Sequence, residues 1–343
     1  MKAVRLLFPV VLVLAVIFAA AYWPAAAQGQ GGGGGQGGGR GAGRGATPPV
    51  IPTPTAEVMN EDPQTENLRN DRMGFPAFKI IGNLYYVGTA SSSAYLITTP
   101  EGNIVINSIF EETLPLMKAG IESLGFKLED TKFLLANHAH NDHQAADALF
   151  KQMVPGVTTA FMEQDVPALR NMRTGGKEHP IDRILKDGET ITLGGMTLTA
   201  RWTPGHTLGT TTWTFPVREG DRTYNVTIVG GGLQDNARLV YNANQPDIAN
   251  VWMSTINKWK SYPTDVFLGA HSWFFNLTGK YRRMQANPNV NPWIDPDGYR
   301  KYVADTEALR AKLIAEQTAA GPPAPQGGGD GRGGAGGGGG RGN

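Results

Sequence analysis

The stretch FLLANHAHNDH, residues 133–143, runs from an apolar strand directly into a cluster of histidine and aspartate side chains, which are residue types able to bind metals. Three of the six histidines of the chain, His138, His140 and His143, lie here together with Asp142. Alternate residues of an extended chain share a side, so His138, His140 and Asp142 are predicted to point one way and His143 another. Two directions favour a pair of metal ions over one. Nitrogen and carboxylate ligands without sulfur suit zinc, although other metals accept the same set.

Two more histidines follow predicted strands. His206 lies in TPGHTLGTTTW (203–213), and His271 lies in DVFLGAHSWFF (265–275), directly after an apolar strand. Ligand sites in layered α/β proteins form at the carboxyl ends of strands. One histidine in such a place is usually a hydrogen-bonded structural residue, but three such places with H-x-H-x-D-H spacing predict a metal site. The sixth, His179 in GGKEHPID (175–182), has no such context and is interpreted as a loop residue near the site entrance.

Residues 1–27 have the pattern of a secretory signal peptide. Basic residues precede an apolar run, and an A-x-A site predicts cleavage after Ala27. The alternative is a retained membrane anchor, but the run is a little shorter than the roughly 20 residues that a spanning helix needs, and Pro9 interrupts it. Both alternatives place the rest of the chain outside the cytoplasm. If the signal peptide is cleaved, the mature protein is expected to be periplasmic or secreted and to have no stable membrane span.

Two flanks of low complexity enclose the predicted domain. Residues 28–64 are rich in Gly and Pro and residues 319–343 are rich in Gly, so both are expected to be disordered. Scattered arginines in these flanks are typical of RNA-binding segments, but four of them in two linkers favour a solubilising role. Residues 65–318 between them are long enough for one large α/β domain.

The predicted elements of this domain begin with antiparallel strands and continue with alternating helices and strands. Gly194 and Gly195 predict the two-residue turn of a hairpin. A closing helix is predicted from Pro296 to about Gln317. Further helices are predicted over 144–153, 165–172 and 247–260, and a loop over 172–182. This order predicts sheets covered by helices.

Composition excludes several functions. The chain has no cysteine, which excludes disulfides, thiolate catalysis and zinc bound by cysteine. Its formal charge of +1 gives no electrostatic reason to expect a nucleic-acid partner. The sequence does not indicate an oligomeric state.

The H-x-H-x-D-H motif followed by two separated histidines resembles the metallo-β-lactamase superfamily, and the full ligand set is similar to that of its subclass B3. Segments such as LYYVGT, GNIVINS, DVFLGAHSWFF and IDPDGYRKYV extend the resemblance over residues 80–315. It implies a four-layer αβ/βα sandwich with two zinc ions. By position, His138, His140 and His206 would hold the first ion, and Asp142, His143 and His271 the second.

The activity that this resemblance implies is hydrolysis of a β-lactam amide, so the expected partner is a small-molecule substrate, a β-lactam. A zinc-bound hydroxide would attack the carbonyl, and Asp142 would orient it as well as bind metal. No covalent intermediate is needed, so Ser91, Ser92 and Ser93 are interpreted as loop residues.

Two features depart from the subclass, and the roles of two other groups of residues are interpreted beside them. Gln144, Ala145 and Ala146 stand where the family usually has small glycines. Gly231 and Gly232 stand where the subclass commonly has a serine near the substrate carboxylate. Five aromatic residues near the motifs could line a pocket, but most are expected in the core: Trp202, Trp213, Trp273, Phe274 and Phe275. Asn107 is interpreted as a structural residue that hydrogen-bonds the ligand loops.

Two alternatives to a β-lactamase remain. The missing serine favours a hydrolase of the same fold that acts on a lactone, thioester or other exported ester. The glycine-rich flanks are the only support for a non-catalytic zinc-binding or scaffold protein.

Overall fold

The computed structural model of the protein describes residues 71–323. The predicted signal peptide (1–27), the linker (28–64), residues 65–70 and the tail from residue 324 lie outside this range. Among the residues described, no helix has both the length and the apolar character needed to cross a bilayer.

The first sheet contains seven strands in chain order. They are β1 (Phe78–Ile81), β2 (Leu84–Tyr86), β3 (Tyr95–Thr99), β4 (Gly102–Ile106), β5 (Thr131–Leu135), β6 (Thr158–Met162) and β7 (Arg183–Leu185). Strands β1 to β4 pair antiparallel, whereas β4 to β7 pair parallel. The predicted change from hairpins to crossover connections is confirmed.

The second sheet has five strands in the order β12-β11-β10-β9-β8. They are β8 (Thr190–Leu193), β9 (Met196–Trp202), β10 (Thr211–Glu219), β11 (Arg222–Val229) and β12 (Val266–Gly269). Only the β11–β12 pair of this sheet is parallel. The predicted turn between β8 and β9 is present, with positive φ at Gly194 (50°) and Gly195 (85°).

Seven α-helices connect or cover these strands in the described range. They are α1 (Leu114–Ser123), α2 (Asn141–Gln144), α3 (Asp147–Met153), α4 (Val166–Asn171), α5 (Ile248–Ser261), α6 (Leu277–Ala286) and α7 (Pro296–Ala320). The helix predicted over 144–153 is divided into α2 and α3. The closing helix begins at Pro296 as predicted and ends at Ala320, where Gly321 takes a φ of 73°.

The side chains of the first sheet alternate between two apolar layers, as the pleat of a strand requires. Tyr95 and Ile97 of β3 join the large core that also contains Trp213 and Ile228 of the second sheet. Leu96, between them in sequence, joins a separate core with residues of α1 and α3. Helices α5 and α7 pack with the second sheet on the other side of the molecule. The predicted four-layer αβ/βα sandwich is confirmed.

Candidate metal centre

Three loops at the carboxyl ends of strands carry the predicted ligands. His138 and His140 follow β5, His206 lies between β9 and β10, and His271 follows β12. The chain stays extended only as far as His140 (φ −116°, ψ 153°). Helix α2 then begins, so the prediction that Asp142 shares an extended strand with the first two histidines is wrong.

The first group of ligands contains histidines from two different sheets. The ligand nitrogens of His138, His140 and His206 all lie within 4.8 Å of one another. Their ring centroids are 4.4–4.9 Å apart, and the rings meet nearly at right angles. His138 Nε2 is buried and has no hydrogen-bond partner among the described residues. A buried nitrogen of this kind needs a partner, and a metal ion supplies one.

The second group of ligands, Asp142, His143 and His271, is more compact than the first. Asp142 Oδ2 lies 3.2 Å from His143 Nε2 and 3.4 Å from His271 Nε2, and the two nitrogens are 3.3 Å apart. Zinc binds nitrogen and oxygen at about 2.0–2.1 Å with tetrahedral geometry, which separates two ligands by about 3.3 Å. These three atoms therefore have the spacing of ligands on one zinc ion. The His138 and His143 ring centroids are 4.3 Å apart, so the two groups are adjacent.

Main-chain oxygens orient two rings of the first group. His138 Nδ1 lies 2.6 Å from Gly230 O, and His206 Nδ1 lies 3.0 Å from Gly232 O. A carbonyl oxygen can only accept a hydrogen bond, so each Nδ1 carries the proton and each Nε2 keeps its lone pair. Such outer contacts fix the tautomer and the orientation of metal-binding histidines.

Burial sets the protonation of the site. It lowers the pKa of His138 and His271 well below the ordinary value, and neighbouring histidines lower it further. Burial also lowers the pKa of His206, to about 4. For Asp142 burial acts to raise the pKa, but His143 and His271 outweigh it and hold the pKa below its ordinary value. Neutral histidines and an ionised carboxylate are the forms that bind metals.

Comparison with known proteins agrees with this geometry. A family model described as the metallo-beta-lactamase superfamily matches residues 87–219. The native FEZ-1 metallo-beta-lactamase from Legionella gormanii has 39% identity and a TM-score of 0.67, over 71% of this chain and 97% of that one. The chain belongs to the metallo-β-lactamase superfamily. The class B3 di-zinc metallo-beta-lactamase LRA-12 from an Alaskan soil metagenome has 28% identity and a TM-score of 0.65, over 77% of this chain and 100% of that one.

Two curated relatives carry a different activity in their names. The hydroxyacylglutathione hydrolase of Rhodopseudomonas palustris is 26% identical over 67% of this chain and 75% of its own length. A probable hydroxyacylglutathione hydrolase of Schizosaccharomyces pombe is 26% identical over 38% of this chain, and the match spans only 46% of that relative. The chain is therefore a metallo-hydrolase of this superfamily.

Asp165 is a site residue that the sequence reasoning missed. Its carboxylate accepts hydrogen bonds from Ala139 N (2.9 Å), Thr207 Oγ1 (2.8 Å) and Gly209 N (2.7 Å). It thus joins the loop that carries His138 and His140 to the loop that carries His206. Burial raises the pKa of Asp165 above its ordinary value, against those hydrogen bonds. In sequence Asp165 precedes a short helix and has no spacing signal that distinguishes it from an ordinary turn residue.

The interpretation of Asn107 as a structural residue is confirmed. It is buried with a φ of 66°, and its Nδ2 donates to Ser93 O (2.9 Å) and Asn137 Oδ1 (2.8 Å). Its Oδ1 accepts from Asn137 N at 3.0 Å. Asn137 immediately precedes His138, so this amide pair fixes the start of the ligand loop.

The absence of a side chain at Gly231 and Gly232 has a steric explanation. A Cβ at Gly231 would lie 2.7 Å from Cβ and Cγ of His206, and one at Gly232 would lie 2.9 Å from Phe274 Cζ and Tyr302 OH. Real Cβ atoms essentially never approach another heavy atom within 3.0 Å. The serine commonly found in subclass B3 therefore has no space at position 231 while His206 stays in place.

Two cavities meet at Gly232. One of about 280 Å³ is lined by His206 and by polar residues that include Arg238, Asn242 and Gln245. The other, of about 510 Å³, is lined by Leu233, Trp273 and Phe274 among others. One cavity is therefore mainly polar and the other largely aromatic.

The five aromatic residues near the motifs divide between core and cavity. Trp213 and Phe275 are buried in the core, and Trp213 Nε1 donates to Ala136 O. Trp202 is partly buried, with Lys258 Nζ 5.1 Å from its ring centroid. Trp273 stacks on His271 with centroids 4.1 Å apart and lines the aromatic cavity with Phe274.

His179 is buried rather than placed at an entrance. Its Nε2 lies 3.0 Å from Asp147 Oδ2, and both side chains are almost fully buried. Its ring packs against Phe161. His179 therefore fastens the 172–182 loop to α3, and it lines none of the cavities beside the metal ligands.

Proposed function

We propose that the protein is a zinc-dependent hydrolase that opens the amide of a β-lactam ring. The observation that carries this proposal is the combination of two adjacent ligand groups with 39% identity to a metallo-beta-lactamase over 97% of its length. His138, His140 and His206 would hold one zinc ion, and Asp142, His143 and His271 a second.

Bound zinc would supply an ionised water near neutral pH and would polarise the substrate carbonyl. The chain contributes the shape and charge of the site around that chemistry. The ionised carboxylate of Asp142 contacts His143 and His271 through Oδ2. Its other oxygen can accept a hydrogen bond from the attacking water and so orient it.

Substrate contacts would come from the two cavities that meet at Gly232. Trp273 and Phe274 offer apolar surface to a ring or side chain. Arg238 offers a positive charge in the cavity that reaches His206. A β-lactam carboxylate would pair with this guanidinium, since Gly231 and Gly232 carry no hydroxyl to bind it.

Hydrolysis of a β-lactam panel tests the proposal. Zinc-loaded protein should open a chromogenic cephalosporin, a chelator should abolish this, and Asp142→Asn should lose it at equal folded concentration. Absence of turnover of penicillins, cephalosporins and carbapenems by zinc-loaded protein would reject the assignment.

The Arg238 assignment has its own test. Net hydrogen bonds to charged groups contribute about 1.5–3 kcal/mol, so Arg238→Gln should raise KM for a β-lactam about tenfold or more and change kcat little. Arg218→Gln is a matched control, because Arg218 lies at the distant β10–β11 turn. An unchanged KM in Arg238→Gln would exclude this contact.

A second candidate is hydrolysis of a thioester, lactone or other ester. The names of the curated relatives and the glycines at 231 and 232 favour it. The ratio of kcat/KM for a β-lactam to that for a hydroxyacyl thioester and a simple lactone separates the two candidates. A ratio far below one would favour the ester hydrolase.

We also propose that the protein is exported to the periplasm or secreted, because of the signal-peptide pattern of residues 1–27. Amino-terminal sequencing of the mature protein from the envelope or medium should begin at Gln28. Recovery of the uncleaved chain in the cytoplasm would contradict this proposal.

A further inference from the structure

A second carboxylate lies beside Asp142 in the second ligand group. Ligand atoms of Asp71, Asp142 and His271 all lie within 4.8 Å of one another. Asp71 is partly buried and precedes the first strand by seven residues. It belongs to none of the sequence motifs that carry the other ligands.

Buried serines hold the Asp71 carboxylate in this position. Ser91 Oγ and Ser92 Oγ, the latter at 3.1 Å, both donate to Asp71 Oδ1. Both serines are fully buried. Since Oδ1 accepts both bonds, Oδ2 remains available to the site. The serines at 91 and 92, interpreted from sequence as loop residues, thus orient an acid.

The same serine segment is bonded to the strand extension that carries His271. Ser272 N donates to Ser91 O at 2.8 Å, and Ser93 N donates to Ala270 O at 2.9 Å. These bonds lie on both sides of His271. Asp71 and His271 are therefore held by one hydrogen-bonded unit, so their proximity is built into the fold.

The residues next to Asp71 are also anchored. Arg72 forms an ion pair with Glu112, and its guanidinium lies 4.0 Å from the centroid of the Phe110 ring. Ala90 N donates to Met73 O at 2.8 Å. Asp71 is thus fixed from both sides, by its neighbours in sequence and by the serines.

The charges indicate what this arrangement binds. Two carboxyl groups this close can share one divalent cation, whose charge offsets the repulsion that two carboxylates would otherwise have. Carboxylate oxygen and imidazole nitrogen are together typical zinc ligands. His271 is nine-tenths buried, and its Nε2 points to Asp142. Tetrahedral zinc ligands are about 3.3 Å apart, which is less than the 4.8 Å within which these atoms lie. Binding would therefore draw the Asp71 carboxylate a short way towards the ion while the serines keep its Oδ1.

We propose that Asp71 is a fourth protein ligand of the second zinc ion, beside Asp142, His143 and His271. This inference rests on the proposed function and deepens it. A site with four protein ligands is closed, whereas one with three keeps an open position. The ion at His138, His140 and His206 would therefore be the one open to substrate, and the second would be held more firmly than by three ligands.

Metal titration of Asp71→Asn tests the proposal without relying on activity. Asparagine keeps the shape and an acceptor oxygen for the serines but removes the charge. Asp221→Asn is the matched control, since Asp221 is fully exposed at the β10–β11 turn. Zinc stoichiometry and affinity would be measured by chelator competition, together with the absorption of the cobalt-substituted protein and the unfolding temperature of the metal-free protein.

We expect wild type and Asp221→Asn to bind two zinc ions. Asp71→Asn should bind the first normally and the second about tenfold more weakly or worse, with an altered cobalt spectrum and no loss of metal-free unfolding temperature. Equal affinity for the second ion in both variants would overturn the ligand assignment alone. Equal weakening of both ions with a lower unfolding temperature would also overturn it, in favour of a structural role. A wild type that binds one ion would overturn the two-zinc proposal as well.

Discussion

Replacement of Gly231 by serine is the most direct test of the site geometry. By family resemblance this change installs a missing substrate contact and should improve β-lactam hydrolysis. The structure predicts the opposite, because the new Cβ would lie 2.7 Å from Cβ and Cγ and 2.8 Å from Cδ2 of His206.

The size of the effect follows from this overlap. Carbon atoms in contact prefer separations of about 3.5–4.0 Å, so His206 or its loop must move by most of an ångström. Overpacking of this kind costs about 1–3 kcal/mol. For a domain of this size, each kcal/mol lowers the unfolding temperature by about 2–4 °C. Displacement of the His206 ring from Gly232 O should also weaken the first zinc site about 10- to 100-fold.

Two measurements check this prediction in Gly231→Ser and in a matched control. Gly156→Ser is the control, because a Cβ at Gly156 meets nothing within 4 Å. We expect the unfolding temperature and the affinity of the first zinc ion to fall in Gly231→Ser and to change little in Gly156→Ser. Wild-type zinc affinity with a lower KM for β-lactams in Gly231→Ser would refute the steric argument.

Three further changes follow from the contacts described above. Asp165→Asn should cost about 1–3 kcal/mol in urea unfolding, because an amide cannot accept all three buried hydrogen bonds that the Asp165 carboxylate accepts. The same change should weaken the first zinc site. Asp130→Asn, on an exposed turn, should change neither the free energy of unfolding nor the zinc affinity. The metal-free protein should lose stability as pH falls from 6.5 towards 4, because buried His138, His206 and His271 bind a proton more readily when the chain is unfolded. The folded pKa of about 4 for His206 corresponds to about 3 kcal/mol at 1.36 kcal/mol per unit, and the other two histidines add to it. A flat profile of unfolding free energy against pH would contradict this prediction. His179→Ala should lower the free energy of unfolding, because it removes a buried ring that packs against Phe161 and whose Nε2 lies 3.0 Å from Asp147 Oδ2. In urea unfolding, the double variant with Asp147→Ala should cost less than the sum of the two single changes.

The sequence predicted the layers of the fold because strand and helix periods are local properties. The apolar runs of β5 and β12, the Gly194-Gly195 turn and the long helical segment from Pro296 carried that information directly. The turn into α2 was missed because a pattern of alternate residues is consistent with extended chain through Asp142. Hydrogen bonds from His143 N and Gln144 N to His140 O, each 3.1 Å, bend the chain there.

Five of the six metal-binding candidates were recognisable because histidine is rare in this chain and concentrates at strand ends, and Asp142 was recognisable because it lies among them in the H-x-H-x-D-H motif. Asp165 and Asp71 were not recognisable, because aspartate is common on surfaces and at helix starts. Their positions depend on contacts with Gly209 and Ser92, which are distant in sequence. The buried pair of His179 and Asp147 was missed for the same reason. Pairings between residues far apart in sequence arise only when the chain is packed, so local sequence patterns do not reveal them.

The carbonyl groups that orient His138 and His206 belong to glycines. A side-chain acceptor can be deleted by one codon change, whereas an amide oxygen persists through every substitution. During evolution this outer support can therefore be displaced by bulk but never chemically removed. Substitutions at residues 230–232 would be limited only by the volume of the new side chain. The orientation of the His138 and His206 rings therefore does not depend on which side chains line the rest of the cavity walls.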